Sequence, residues 1–306
     1  MNREFINSVK CLVVTKLLDD IEGIIVDDQP VIKNNNVHLT GLIIRNPKVN
    51  IAPTIYLDSY FRAYENGEKS VEEIADDIIH CYKQNALDDD LDISLIHDVE
   101  RVKEKVYPIV VNTDANLEWL KSHPHKNLLD LSICYRLNID LKQHQSDDNN
   151  GSIAVTDTLM NVWGLTIDEL DEIAWENNKV LFAPVFKNMF EIISEMMNFS
   201  ADSLMGTFEE SPMYVLSNAS NINGSNYIAD KSVLNNIASD LGSDEIYIIP
   251  SSRHELIIMP ASISTDSANL RQIIHEVNST QVSDEDKLSD SLYLFSSATN
   301  QLKICA

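Results

Sequence analysis

Apolar residues at Val9, Leu12, Val13, Leu17 and Leu18 recur at helical spacing, and Gly23 follows as a stop, so residues 8–20 are expected to form a helix. Segments 24–33 and 37–45 read as strands on either side of Asn34, Asn35 and Asn36. Asparagine tolerates the left-handed conformation, so a hairpin turn is expected there. Residues 50–57 read as a third strand that Pro53 either places at an edge or cuts short. A short aromatic helix follows over 58–64, ended at Gly67. Ser70 and Glu73 then form a capping box ahead of the stripe Val71, Ile74, Ile78, Ile79 and Tyr82. Asp88, Asp89 and Asp90 read as a solvated loop, because the glycine of a calcium-binding EF-hand loop is missing. A further helix is expected over 94–105.

Beyond it, 106–112 is an expected strand, 114–121 a short helix and 128–139 a longer strand. Polar residues 143–151 read as a loop before a strand over 152–156. Helices are expected over 156–163 and over 166–178, the second capped by Thr166 with Glu169. Residues 185–199 read as one Met-rich helix whose stripe of Phe186, Met189, Phe190, Ile193, Met196 and Met197 faces a core. Segment 201–212 lacks periodicity and is the expected linker between an N-terminal unit, 1–200, and a C-terminal unit, 213–306. In that second unit strands are expected over 213–217, 245–249, 254–259, 291–295 and 301–304, with helices over 230–241 and 266–278. The order is not a regular β/α alternation. It implies an α+β fold of mixed, mostly antiparallel sheets with helices packed on one face, in two units.

Charge narrows the function classes. Among 306 residues, 48 are Asp or Glu and 23 are Lys or Arg, a net charge of −25. A chain that binds nucleic acid by neutralising phosphates carries a basic face, so no direct nucleic-acid partner is expected. An anionic membrane surface would repel the chain as well. The eight glycines are scattered, the closest pair being Gly151 and Gly164. No phosphate-cradling loop and no Gly-x-Ser-x-Gly elbow fits them, and no cofactor is expected. Cys11, Cys81, Cys134 and Cys305 form no CxxC pair and read as thiols of a reducing compartment. With no apolar run long enough to span a bilayer and no leader at 1–10, the expected location is the cytoplasm.

The densest candidate chemistry is Ser251, Ser252, Arg253, His254 and Glu255, at a turn between two expected strands. Ser252 and His254 would share a side of an extended chain, the beginning of a nucleophile–base pair with Glu255 as a further carboxylate. The competing reading is a turn whose hydroxyls cap backbone groups. Arg253 and Asn218 are the weaker candidates for ligand binding. Asn218, Asn221 and Asn223 surround a polar loop that turn chemistry explains equally well. His123, His125 and Asp130 offer metal-ligand types, but two histidines flanking a proline share no helical face, and no metal is expected.

Several strings together resemble a known family. They are IAPTIYL at 51–57, the aromatic turn at 60–67, Pro124 and His125 ahead of Asp130 and Leu131, and YVLSN at 214–218. IPSSRHE at 249–255 follows, then Val277 and Asn278 ahead of Leu288, Ser289 and Asp290. In this order the chain resembles the Gram-positive bacterial family of unknown function DUF5688, nearly end to end. That resemblance implies a bacterial cytoplasmic protein and no particular activity. The leading expectation is a non-catalytic protein that binds a protein partner, with a basic partner matching its charge. A hydrolase using the 251–255 turn is the alternative, and an acidic DNA-mimic inhibitor is a further one.

Overall fold

The computed structural model describes residues 1–86, 90, 92–140, 150–197, 213–263 and 267–305. They gather into two compact units, the first built on Met1–Ser94 and the second on Leu95–Ile139 with Asn150–Ala306.

In the first unit, helix α1 (Arg3–Leu17) starts at Asn2, whose side chain accepts the Phe5 amide. It begins earlier than the apolar spacing suggests, because Phe5 and Ile6 are buried along with Val9, Val13 and Leu17. Strands β1 (Ile25–Ile32) and β2 (His38–Arg45) pair antiparallel, Ile25 opposite Arg45 and Ile32 opposite His38. The hairpin turns at the asparagines, with Asn35 and Asn36 at φ 58° and 57°. β3 (Thr54–Tyr56) lies on the other side of β2, at an edge, directly after Pro53. Helices α2 (Asp58–Glu65) and α3 (Val71–Asn85) follow, and the capping box of Ser70 and Glu73 is formed. Phe5, Val9, Leu42, Ile44, Leu57, Ile74 and Ile78 close a single core.

The second unit opens with α4 (Val99–Lys103), β4 (Val106–Asn112), α5 (Leu117–Leu120), β5 (His125–Leu128), β6 (Leu131–Asp140) and β7 (Asn150–Ala154). These strands form a sheet in the order β4-β6-β5, with β7 also on β6. The single strand expected over 128–139 is therefore corrected to the end of a hairpin. Leu128 pairs with Leu131, and Leu129 takes φ 58° between them. No Gly or Asn marks this turn, since it is held from outside by bonds to Asp130. Helices α6 (Asp157–Trp163) and α7 (Ile167–Leu181) cover the sheet, α7 behind the capping box of Thr166 and Glu169. Tyr135, Leu137, Trp163, Leu170 and Ala174 pack together, and the Trp163 indole donates to the Ile96 carbonyl at 2.6 Å.

The Met-rich segment also differs from expectation. It is strand β8 (Pro184–Asn188) followed by helix α8 (Met189–Met197), so Phe186 sits on a sheet and stacks on Tyr214 at 4.9 Å. An apolar run read by period alone does not separate a short strand from a helix. Strands β9 (Tyr214–Asn218), β10 (Glu245–Ile249), β11 (Leu256–Pro260), β12 (Tyr293–Ser296) and β13 (Gln301–Ile304) join it in one sheet, ordered β13-β12-β10-β11-β9-β8. The fold is thus α+β with mostly antiparallel sheets. On this sheet helices lie against both faces. Helix α9 (Lys231–Asp240) supplies Leu234, Ile237 and Ala238 to the core of Ile246, Ile248, Leu256 and Ile258. Helix α10 (Ser267–Thr280) packs Ile274 on Ile249, Met259 and Leu292. The alternating residues of β10 and β11 are apolar on both sides, so each side takes a helix.

The expected linker at 201–212 lies outside the described residues. The units divide at Ser94 instead, and the six-stranded sheet draws β8 from before position 200 and core residues Val110 and Leu131 from earlier still. A unit beginning at 213 would leave that core open.

Fully buried tyrosines, Tyr135 and Tyr293 among them, make the second unit sensitive to base. Burial, and then the nearby Asp171, raise the Tyr135 hydroxyl well above its ordinary value of 10.0; burial does the same to Tyr293. A raised folded-state value means the stabilisation is complete below pH 10 and is lost as the pH climbs past it. Each tyrosine is expected to cost up to about 1.4 kcal/mol per pH unit above 10. A melting series from pH 8 to 11.5 checks this; Tyr135→Phe should flatten the fall.

Candidate functional site

The 251–255 turn connects β10 to β11 at one end of the six-stranded sheet, and all five of its residues are half-buried. It is not extended. Ser252 Oγ accepts the His254 amide at 3.0 Å, and the Ser252 amide donates to the Glu255 carbonyl at 3.3 Å. The hydroxyl that an extended chain would set beside the imidazole is therefore turned onto the backbone.

Neighbouring segments grip the turn from two sides. From β9 itself, Ser217 Oγ donates to the His254 carbonyl at 2.8 Å, and from the segment that follows it Ser225 Oγ donates to the Arg253 carbonyl at 2.6 Å. Between these contacts lies Gly224, where an added Cβ would fall 2.5 Å from Ser217 Oγ and 2.7 Å from the His254 carbonyl oxygen. From the other side comes Asp286. Its carbonyl accepts the Arg253 amide at 2.8 Å, and its Oδ1 accepts Arg253 Nε at 2.9 Å and meets His254 Nε2 at 3.1 Å. Burial would raise the Asp286 carboxyl. The Ser283 hydroxyl, Arg253 and His254 outweigh it and hold the group below its ordinary range.

Both nitrogens of the imidazole are engaged by these neighbours. His254 Nδ1 accepts the Asn223 amide at 3.3 Å, and Nε2 lies 3.1 Å from Asp286 Oδ1 and 3.2 Å from Arg253 Nε. Among the described residues, neither ring nitrogen bonds a serine hydroxyl. Glu255 instead takes the Ser251 hydroxyl, at a long 3.4 Å. Asp286 is the member of this cluster that the sequence reading missed. It lies 32 positions from His254, and the only local sign was Ser283 placed to cap it.

Asn218 is buried and fully used within its own loop. Its Nδ2 donates to the Ile222 carbonyl at 2.8 Å, while Oδ1 accepts Ser220 Oγ and the Ile222 amide. Asn221 and Asn223 take φ 52° and 56°, the left-handed turn geometry open to asparagine.

His123, His125 and Asp130 do not converge. His123 stacks on Trp119 at 3.7 Å and donates Nδ1–H to the Trp119 carbonyl at 2.7 Å; burial lowers its pKa. His125 donates Nδ1–H to the His123 carbonyl at 2.8 Å. The Asp130 carboxylate accepts three hydroxyls, from Ser289 at 2.6 Å, Ser291 at 2.9 Å and Tyr293 at 2.7 Å. Among the described residues, no group of three or more His, Cys, Asp or Glu side chains is placed to hold a metal ion.

Beside the turn, a cavity of about 410 Å³ opens between α10 and the sheet. Ile249, Ile257 and Met259 line it from the strands, Leu270, Ile273, Ile274 and Val277 from the helix. Met189 and Met213 complete its apolar wall, and Ser251 and Asn278 are its polar members. One methionine of the Met-rich segment thus faces a cavity, which its spacing alone did not disclose.

A family model described as a family of unknown function, DUF5688, matches residues 2–297. No curated protein and no solved structure matches the chain. Among the described residues no helix is long and apolar enough to cross a membrane.

Proposed function

The chain belongs to the DUF5688 family, and from that premise we propose that it is a non-catalytic binding protein whose partner is a protein with a basic face. One observation carries the reading. Both ring nitrogens of His254 are engaged, Nδ1 by Asn223 and Nε2 by Asp286 and Arg253, so the groups that would make a hydrolase serve as a clasp on the turn. A general base must reach the proton it removes, and this imidazole is held away from the serine hydroxyls. What the molecule offers instead is charge, a net −25 that attracts a cationic surface over a distance set by salt.

The test has two arms. A screen of ester, peptide and phosphate-ester substrates is expected to show no turnover above background. His254→Ala should lower stability by about 1 kcal/mol through lost hydrogen bonds. Native-source lysate passed over the immobilised chain should yield a stoichiometric basic protein at 50 mM salt that elutes by about 500 mM, where screening is short-ranged. Turnover abolished by both His254→Ala and Ser252→Ala, with melting curves unchanged, would establish the hydrolase and refute the proposal. Capture of a partner without basic character would refute the charge argument.

A further inference from the structure

The cavity beneath α10 goes beyond a charge-driven protein contact, and we propose that it is a binding site for a hydrophobic small molecule that carries no negative charge. Its size and its chemistry lead to that ligand class separately.

Size comes first. A volume of about 410 Å³ is within the roughly 300–1,000 Å³ range of small-molecule sites. It is also well above the roughly 150 Å³ of an apolar cavity that admits benzene. A bicyclic aromatic or a medium-length aliphatic chain is the matching size. The wall is suited to such a guest, because Met189, Met213 and Met259 have unbranched, polarizable side chains that adjust to irregular shapes.

The polar members set the sign of the charge. Asn278 is buried, and its amide protons are spent on the Ser289 carbonyl and Asp290 Oδ1, both at 2.9 Å. That leaves the Ser251 hydroxyl as the polar group able to turn towards a guest, and its own partner is the Glu255 carboxylate. No Lys, Arg or His is among the described residues lining the cavity. The carboxylates behind the two polar members are Glu255 and Asp290, the second of them paired outside the cavity wall with Lys287 at 2.8 Å. An anionic head group would lose its hydration here, and the described cavity wall holds no cation to receive it. An alcohol, an amide or an amine meets no such barrier.

The experiment uses the full chain and the neutral fluorophore N-phenyl-1-naphthylamine as probe. Saturable binding at one site per chain is expected. At pH 8, 1-decanol should displace the probe at least tenfold more effectively than decanoate, which matches its chain length but is charged. Val277→Trp and Ile273→Trp place bulk from the half-exposed face of α10 into the cavity and should each weaken probe binding at least tenfold. A melting curve accompanies each variant, and the decanol–decanoate comparison stands on the unmodified chain if either fails to fold. Absence of saturable binding, equal displacement by decanoate, or undiminished binding in two folded Trp variants would overturn the proposal. Binding that persists at 500 mM salt separates this site from the basic-partner reading, which salt abolishes.

Discussion

Gly224→Ala is expected to destabilise the chain by about 3 kcal/mol, the upper part of the range for forcing atoms into a packed interior. Its Cβ would lie 2.5 Å from Ser217 Oγ, 2.7 Å from the His254 carbonyl oxygen and 2.8 Å from Ser217 Cα. The hydroxyl has somewhere to rotate; the carbonyl and the Cα do not. Relief would require moving β9 away from the 251–255 turn, which would stretch the Ser217 and Ser225 bonds together. Gly242→Ala is the control. It sits at φ 58° with open space around it, so it should cost only the smaller strain of a left-handed alanine, about 1 kcal/mol. Urea denaturation with both variants checks the difference. Equal midpoints would show that the close approach at Gly224 has no energetic weight.

A similar loss is expected for Asp130→Ala, about 4 kcal/mol. Three hydroxyls, those of Ser289, Ser291 and Tyr293, converge on this one carboxylate, and Tyr293 and Ser289 are buried. Removing the acceptor leaves them without it, at roughly 1–3 kcal/mol for each buried donor left unmade. It also frees Leu129, whose φ of 58° is unfavourable for a branched side chain and is tolerated because the turn is pinned. Asp130→Asn keeps one oxygen and should recover about half of the loss. Equilibrium denaturation of the two variants decides it. A penalty below about 1 kcal/mol for the alanine would mean that water replaces the carboxylate without difficulty.

Legibility in the sequence follows how local each feature is. Capping boxes at Ser70–Glu73 and Thr166–Glu169 span four residues each, and both are formed as read. The Asn34–Asn36 turn was equally plain, because asparagine carries the left-handed preference in its own side chain. The turn at Leu129 was not, since its cause lies 159 or more positions away in the hydroxyls that bind Asp130. Strand β8 was hidden for another reason. Phe186 and Met189 fit a helical stripe, and only pairing with β9 selects the extended form. At the candidate site the turn itself was visible as a cluster of polar residues between apolar strands. Asp286, which fixes the imidazole, and the cavity under α10 depend on contacts between distant segments, and no spacing rule reports those.

The bond from Ser289 to Asp130 spans 159 residues, and that distance has a meaning for synthesis. The hairpin that presents Asp130 leaves the ribosome long before the segment that must bind it. At roughly 5–20 residues per second the interval is on the order of 8–30 s. Through that time Leu131 and Val110 lack strand β12, and for most of it β10 as well, against which they are later buried. The nascent second unit therefore waits as an open, sticky intermediate until nearly its last strand emerges. Its crowd of carboxylates then acts as a solubilising coat for the unfinished chain.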